Sequence, residues 1–96
     1  MDAATYEMRA ELLKAVAHPA RLMMVDALAE GEKCVCELQE LVGSAMPTVS
    51  RHLDRMKNAG IVAGRRDGNR IYYRLLVPCI TKIFPCLDEA LRAQHS

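Results

Sequence analysis

Two strand-like runs follow directly after a helical run, and this order constrains the fold more than any other feature of the chain. The runs cover residues 61–66 and 70–76, and the Asp-Gly-Asn segment between them supplies the positive φ angles that a tight hairpin turn needs. The 96 residues are 51% apolar, enough to bury one core, although a chain of this size is only marginally stable alone. We therefore predict one mainly α domain with a β-hairpin, spanning residues 1–96 and stabilised by dimerisation.

Helical segments lie on both sides of the hairpin. In the segment before it, Val49, Leu53 and Met56 recur at i, i+4 and i+7, the spacing of one helix face. Gly43 and Gly60 come just before and just after this segment, and glycine is typical of helix ends. The apolar spacing, with its Pro and Gly boundaries, predicts helices that end before His18 and that cover Pro19 to about Gly31, about 34–42, about 46–59 and about 79–93.

A basic surface covers the helix at about 46–59 and the hairpin. Between Ser50 and Leu76 there are seven Arg or Lys residues and two acids, a net charge of +5, whereas the rest of the chain carries −4. Such a surface is typical of phosphate contacts, and polar side chains near a helix N-terminus can reach base edges. An ordinary solvated face is the alternative. The predicted contacts with double-stranded operator DNA are Pro47, Thr48, Ser50, Arg51 and Arg55 on this recognition helix, and Arg65, Arg66 and Arg70 on the hairpin, which would form a wing at about 61–76.

Two cysteines one residue apart, Cys34 and Cys36, lie about ten residues ahead of the recognition helix. Thiolates select soft ions such as copper(I), zinc and, by extension, trivalent arsenic. If both residues are helical, their side chains point about 200° apart, so one ion can join them only where the first turn is irregular or unwinds. Binding would then strain the helix that packs against the recognition helix. The alternative is that both are small core residues.

Two further cysteines, Cys79 and Cys86, lie in the last helical segment, whose apolar stripe suits a dimer interface. Along a straight helix they would stand about 10.5 Å apart, too far to ligate one ion together. Pro85 predicts a kink near Phe84, which would place Cys86 near a new helix N-terminus that favours its thiolate. Either cysteine could supply a third thiolate, pair across a dimer, or merely pack. The apolar stripe consists of Ile80, Ile83, Phe84, Leu87 and Leu91.

No targeting or membrane signal is visible in the chain. Residues 1–10 lack the apolar core of a signal peptide, and no apolar run approaches membrane-spanning length. We therefore expect a cytoplasmic protein without membrane contact. In that reducing compartment, four cysteines are more often metal-binding or redox-active than joined in structural disulfides.

Five sequence strings occur in an order that points to one protein family. They are LKAVAHPARL (13–22), CVCEL (34–38), PTVSRHL (47–53), NAGIV (58–62) and RIYYRL (70–75). The strings resemble the arsenical-repressor (ArsR/SmtB) family of bacterial metalloregulators, and the likeness covers most of residues 10–76. It implies a winged helix-turn-helix homodimer that represses transcription and leaves its operator when a ligand binds. The ligand itself is not implied, because it varies within the family.

The chain departs from the patterns of this family in three places. Members that respond to arsenite often have a third cysteine three positions after the second, where this chain has Gln39. The serine that usually caps the recognition helix is displaced, so either Ser44 caps from a shifted register or Ala45 leaves an amide uncapped, at a cost of about 1 kcal/mol. The family's zinc site across the last helix uses carboxylates and histidines, and as built for zinc it is absent here. The corresponding positions are approximately Val77, Cys79, Ala90 and Ala93.

These observations predict a transcriptional repressor whose inducer is arsenite, As(III), bound by Cys34 and Cys36 with Cys79 or Cys86 as a further ligand. A cadmium, lead or zinc sensor is an alternative, as is a persulfide or disulfide redox sensor that uses the C-terminal pair. A hypothesis of another class is a protein-interaction module whose winged helix packs against a partner and whose cysteines are inert. The sequence contains no phosphate loop, acid pair or nucleophile–base arrangement, so we expect no enzyme.

Overall fold

The computed structural model describes residues 2–95 and confirms the predicted class, mainly α with a β-hairpin. The helices and strands are α1 (Ala3–Val16), α2 (Pro19–Leu28), β1 (Lys33–Cys34), α3 (Val35–Val42), α4 (Met46–Asn58), β2 (Val62–Asp67), β3 (Arg70–Leu75) and α5 (Ile83–Gln94), with a 3-10 segment, Pro78–Lys82, before α5. Each helix expected from the apolar spacing is present, with ends displaced by a few residues at most.

The core lies where α2, α3 and α4 meet the sheet. Val49, Leu53 and Met56 on α4 are fully buried, as their i, i+4, i+7 spacing predicts. They pack in one cluster with Met24 from α2 and Leu38 from α3. Burying a side chain of this size contributes about 1.5–3 kcal/mol relative to leaving it exposed, so this cluster fixes α4 against the two helices before it.

The sheet has three antiparallel strands in the order β1-β3-β2. The predicted hairpin between β2 and β3 is confirmed, and because Asp67 pairs with Arg70 its turn consists of Gly68 and Asn69. Gly68 has φ +63°, a backbone conformation that glycine adopts without strain. The strand β1 was not predicted, since it is two residues long and leaves no alternating pattern. It pairs Cys34 with Tyr72 on β3.

The segment after the hairpin differs from the single helix predicted at about 79–93. A 3-10 segment runs from Pro78 to Lys82, and the α-helix begins only at Ile83. Pro85 is the third residue of α5, where a backbone N–H would have no partner within the helix, so proline fits without a kink. The expected kink near Phe84 is therefore replaced by a change from 3-10 to α geometry.

The outer helices α1 and α5 leave large apolar side chains in solvent. Ile80 and Phe84 of the predicted interface stripe pack against the core cluster instead, Ile83 is half-buried, and Leu87 and Leu91 are exposed. No helix within residues 2–95 is long and apolar enough to cross a membrane. The exposed apolar side chains of the two helices are Tyr6, Met8, Leu12 and Leu13 on α1 and Leu87 and Leu91 on α5.

The first turn of α4 has no side-chain cap. Ala45 occupies the N-cap position in extended conformation, with φ −62° and ψ 149°. Of the two arrangements left open by the sequence, the structure therefore has the uncapped one, and Ser44 does not cap from a shifted register. At least one amide at the start of the recognition helix depends on solvent or on a ligand for a hydrogen-bond partner.

Replacing Ala45 with serine should stabilise the protein by about 1 kcal/mol, because the hydroxyl can accept a hydrogen bond from the N–H of Thr48, the third helical residue. The second helical residue, Pro47, has no N–H to donate. Urea denaturation at one fixed protein concentration measures the change. Ser44→Ala is the matched control and should leave the midpoint within about 0.5 kcal/mol of the parent, as for an ordinary surface substitution. An unchanged midpoint in Ala45→Ser would contradict the uncapped geometry.

Candidate nucleic-acid interface and thiol site

The outer face of α4 presents polar side chains opposite its buried stripe. Pro47 and Arg51, one turn apart, are exposed, while Thr48 and Ser50 are half-buried on the flanks. A helix of 13 residues whose first turn is uncapped and which exposes Pro47 and Arg51 can enter a major groove with its N-terminal residues toward the bases. Their role in binding DNA stays a prediction.

Arg55, also predicted to contact DNA, turns toward α1. Its Nη2 lies 3.6 Å from Oε2 of Glu11, and its side chain is 40% exposed. A partly exposed ion pair contributes little to stability, but it places a carboxylate beside the arginine. Arg55 therefore stands at the edge of the basic surface.

Two histidines join the recognition helix to the start of α2. His18 caps α2, because its Nδ1 accepts the N–H of Ala20 at 3.0 Å. Its ring lies 4.3 Å, centroid to centroid, from the ring of His52 on α4. Burial lowers the pKa of His52, and the charges of His18, Arg21 and Arg51 lower it further. His18 thus caps α2, and its ring packs against that of His52, which connects the start of α2 to the recognition helix.

The three arginines predicted on the wing have different surroundings. Arg66 is exposed and pairs with Ile71 across the hairpin. Arg65 instead makes a double hydrogen bond with Glu32, from Nε at 3.0 and 3.1 Å and from Nη2 at 2.6 Å. Arg70 is exposed at the start of β3, and its pKa is raised first by its side-chain contact with Tyr72 and then by the charges of Cys34 and Cys36.

The thiols of Cys34 and Cys36 lie together at the start of α3. Cys34 is the N-cap residue, 2% exposed, and its Sγ accepts the N–H of Cys36 at 3.4 Å. The backbone N–H of Cys34 donates to Oε1 of Glu37 at 3.1 Å, which completes a capping box with cysteine in the place of serine or threonine. Cys34 lies outside the helix, so the expectation that the two side chains point about 200° apart does not apply.

The two thiols differ in how readily they ionise. The pKa of Cys34 is lowered, first by a hydrogen bond from the Cys36 thiol, then by the N–H groups of Cys36 and Glu37 and the charge of Arg70. The pKa of Cys36 is raised, first because its thiol donates that hydrogen bond and then by burial and the Cys34 charge. The pair therefore favours one thiolate, on Cys34, beside one exposed thiol, on Cys36.

Cys79 and Cys86 lie apart from this pair. Cys79 is exposed in the 3-10 segment, and Cys86 is the fourth residue of α5. Cys86 lines an apolar cavity of about 390 Å³ between α5 and α1, with Leu13 and Leu22 among its neighbours. All four cysteines are free thiols. Within residues 2–95, the structure groups no three His, Cys, Asp or Glu side chains closely enough to hold a metal ion.

Comparison with known proteins decides the family. Residues 18–63 match the family of bacterial regulatory proteins of the arsR type. A curated HTH-type transcriptional regulator of Methanocaldococcus jannaschii, itself uncharacterized, is 39% identical over 88% of this chain and 96% of its own length. The chain belongs to the arsR family. The ArsR/SmtB resemblance is thereby confirmed, and so is the expectation that the protein is not an enzyme, because the members of this family are transcriptional regulators.

Further sequence relatives and solved structures are similar to this chain. A biofilm growth-associated repressor of Agrobacterium fabrum is 48% identical over 83% of this chain and 74% of its own length. The crystal structure of NolR from Sinorhizobium fredii matches with a TM-score of 0.79 and 31% identity, covering 94% of this chain and 93% of that one. A Mycobacterium bovis domain, described as a homodimeric winged helix-turn-helix DNA-binding domain, matches with a TM-score of 0.76 and 33% identity over 97% and 85% of the two chains. The chain is a winged helix-turn-helix regulator, with α3 and α4 as the helix-turn-helix and β2–β3 as the wing.

Replacing Arg51 with alanine should weaken binding to the operator by about 1–3 kcal/mol, because this exposed side chain of α4 can reach a base or a phosphate. Arg66→Ala should instead weaken specific and non-specific binding alike, as expected for a phosphate contact. Fluorescence anisotropy with the promoter duplex and with an unrelated duplex separates the two cases. If both variants fold and bind the promoter duplex with wild-type affinity, this surface is not part of the DNA interface.

Proposed function

We propose that this arsR-family regulator is a homodimeric repressor that leaves its operator when a thiophilic ligand, trivalent arsenic above all, binds at Cys34 and Cys36. The observation that carries the proposal is the capped start of α3, where the sulfur of the buried Cys34, a thiol of lowered pKa, accepts a hydrogen bond from the backbone N–H of the exposed Cys36. Soft thiolate pairs of this kind suit arsenic(III), and they also suit cadmium, lead and zinc. Repression itself is supported by the names of relatives, among them the Agrobacterium repressor.

Ligand binding at this place would act directly on the helix-turn-helix. The Sγ atom of Cys34 accepts a hydrogen bond that caps α3, and the same sulfur lone pairs would bind the ion. Ligation would therefore compete with the cap at the start of the helix that packs on α4. Allostery requires that the ligand bind with different free energies to the DNA-bound and the released protein. Competition between ligation and the cap supplies a physical basis for such a difference.

A third ligand for arsenic would have to come from outside the pair. Gln39, which replaces the third cysteine of some family members, donates its Nε2 to the backbone oxygen of Ser44 at 3.4 Å and offers no thiol. Cys79 and Cys86 are exposed and are the other thiols of the chain. We infer that one of them completes the site, from the same chain after a movement or from the partner in the dimer.

The exposed apolar faces of α1 and α5 support the homodimer. Leu13 is 60% exposed and Leu91 is 52% exposed, although both are large apolar residues. Apolar patches of this kind on a small domain mark interaction sites. The structural relative from Mycobacterium bovis is described as homodimeric. A second copy of the chain would cover the apolar cavity that Cys86 lines.

Replacing Cys34 or Cys36 with serine should give a repressor that still binds DNA but is no longer released by arsenite. Serine preserves the size and can still cap α3, whereas the soft ligand is lost. The measurement is a titration of the reduced protein on its promoter duplex with arsenite, antimonite, cadmium, lead, zinc and a persulfide donor in parallel. If arsenite releases the double variant from DNA at the same arsenite concentration as the wild type, these two thiols are not the sensor. Strong release by another inducer alone would replace arsenic in the proposal.

Replacing Cys79 or Cys86 with serine should weaken arsenite binding more than cadmium binding, since cadmium tolerates other ligands more readily. Mass spectrometry of the protein after arsenite, and separately after persulfide, shows which thiols become bound or bridged. If the pair bridges with itself and oxidant releases DNA, the redox alternative holds. If both thiols stay unmodified in protein already released by arsenite, Cys34 and Cys36 form the whole site.

A further inference from the structure

One row of residues crosses the sheet from the thiol site to the wing. Cys34 on β1 is opposite Tyr72 on β3, and Tyr72 is opposite Arg65 on β2. Side chains of directly opposed residues in antiparallel strands project from the same face and contact each other. The guanidinium of Arg65 lies 4.7 Å from the centre of the Tyr72 ring, in the geometry of a cation–π contact.

Arg65, the last residue of this row, also bonds to the segment before Cys34. Arg65 makes its double hydrogen bond with Glu32, two residues before Cys34 in the chain. The Glu32 side chain is 30% exposed and that of Arg65 is 53% exposed. Because two nitrogens of the guanidinium bond to the carboxylate, this interaction fixes the relative orientation of the two side chains. A surface ion pair with a single contact does not do this. The wing is thus attached to the start of the thiol site through the β1–β3 ladder and through Glu32.

The charge of Arg65 is already compensated inside the protein. Besides Glu32, the carboxylate of Asp67 lies 3.8 Å from its Nη1. A phosphate would have to displace these carboxylates before it gained the arginine as a partner. Arg66, the next residue on the same strand, projects from the opposite face and is exposed, so the two neighbouring arginines have different roles.

We propose that Glu32 and Arg65 form a latch through which the thiol site sets the position of the wing, so that Arg65 is a positioning residue and does not contact phosphate. An ion bound to Cys34 disturbs the end of β1 and with it Glu32, and the latch passes this change to β2. The proposal rests on the proposed function in one respect, that a ligand at the thiols releases DNA.

The test compares Arg65→Ala and Glu32→Gln with matched controls Arg66→Ala and Glu30→Gln. Arg65→Ala removes a positive charge and Glu32→Gln removes a negative one, so an effect of charge on DNA binding would have opposite signs in the two variants. Loss of the latch would change DNA binding and its response to arsenite in the same direction in both variants. The parent and all variants are titrated on the promoter duplex at several salt concentrations, with and without arsenite, by fluorescence anisotropy.

We expect Arg66→Ala to reduce the slope of log affinity against log salt by about 0.9, the value for one lost phosphate contact, and Arg65→Ala to leave the slope unchanged. Both latch variants should reduce the ratio of DNA affinities without and with arsenite at least threefold, about 0.7 kcal/mol of coupling. Arsenite binding to the DNA-free variants should stay as in the parent. The double variant should show no further loss, because the two residues act as one unit.

Hydrogen exchange gives a measurement that does not depend on arsenite. Amides of residues 62–75 should exchange faster in Arg65→Ala and Glu32→Gln than in the parent and the two controls, since the wing loses an attachment. A reduced salt slope in Arg65→Ala, with parent coupling and parent exchange rates, would overturn the latch. If neither arsenite nor any other ligand of the titration series releases the parent protein, the proposed function is wrong, and the exchange rates and salt slopes still decide the latch.

Discussion

The structure depends on Cys34, where a strand ends and a helix begins. Its backbone pairs with Tyr72 on the wing, its N–H is held by Glu37, and its sulfur caps α3. Through α3 it positions Leu38, which is fully buried against the recognition helix. Under the proposed function, a ligand bound at this one sulfur atom would act on both the helix-turn-helix and the wing.

The wing arginines do not form a uniform basic surface. Arg65 is held by Glu32, and Arg70 lies in the field of the Cys34 and Cys36 thiols, while Arg66 is exposed. A count of charges along the chain therefore overstates how many positive groups are available to phosphate. The net charge of +5 between residues 50 and 76 remains a sound indication of DNA binding, because the family consists of DNA-binding regulators.

The four cysteines form two groups with different surroundings. Cys34 and Cys36 are joined by a hydrogen bond at the capped start of α3, where Cys34 is buried and Cys36 is exposed. Cys79 and Cys86 are exposed, and Cys86 lies in an apolar cavity against α1, on the side of the molecule whose apolar side chains are exposed. If a dimer covers that side, an ion bound to thiols of both groups would connect α3 to the dimer interface. A symmetric repressor needs such a connection if one ligand is to alter how both of its recognition helices fit the two half-sites of the operator.

The sequence by itself determined the helices, the hairpin, the buried face of α4 and the family, because each follows from patterns over a few consecutive residues. It also identified Cys34 and Cys36, but it could not show that Cys34 is a cap, since cysteine seldom takes that place and β1 is only two residues long. Only the tertiary structure decided that Arg65 pairs with Glu32, 33 residues earlier in the chain, and that Cys34 and Arg65 are both opposite Tyr72 on β3. Such pairs form only after the strands have aligned, and no local pattern along the chain records which charges that alignment brings together.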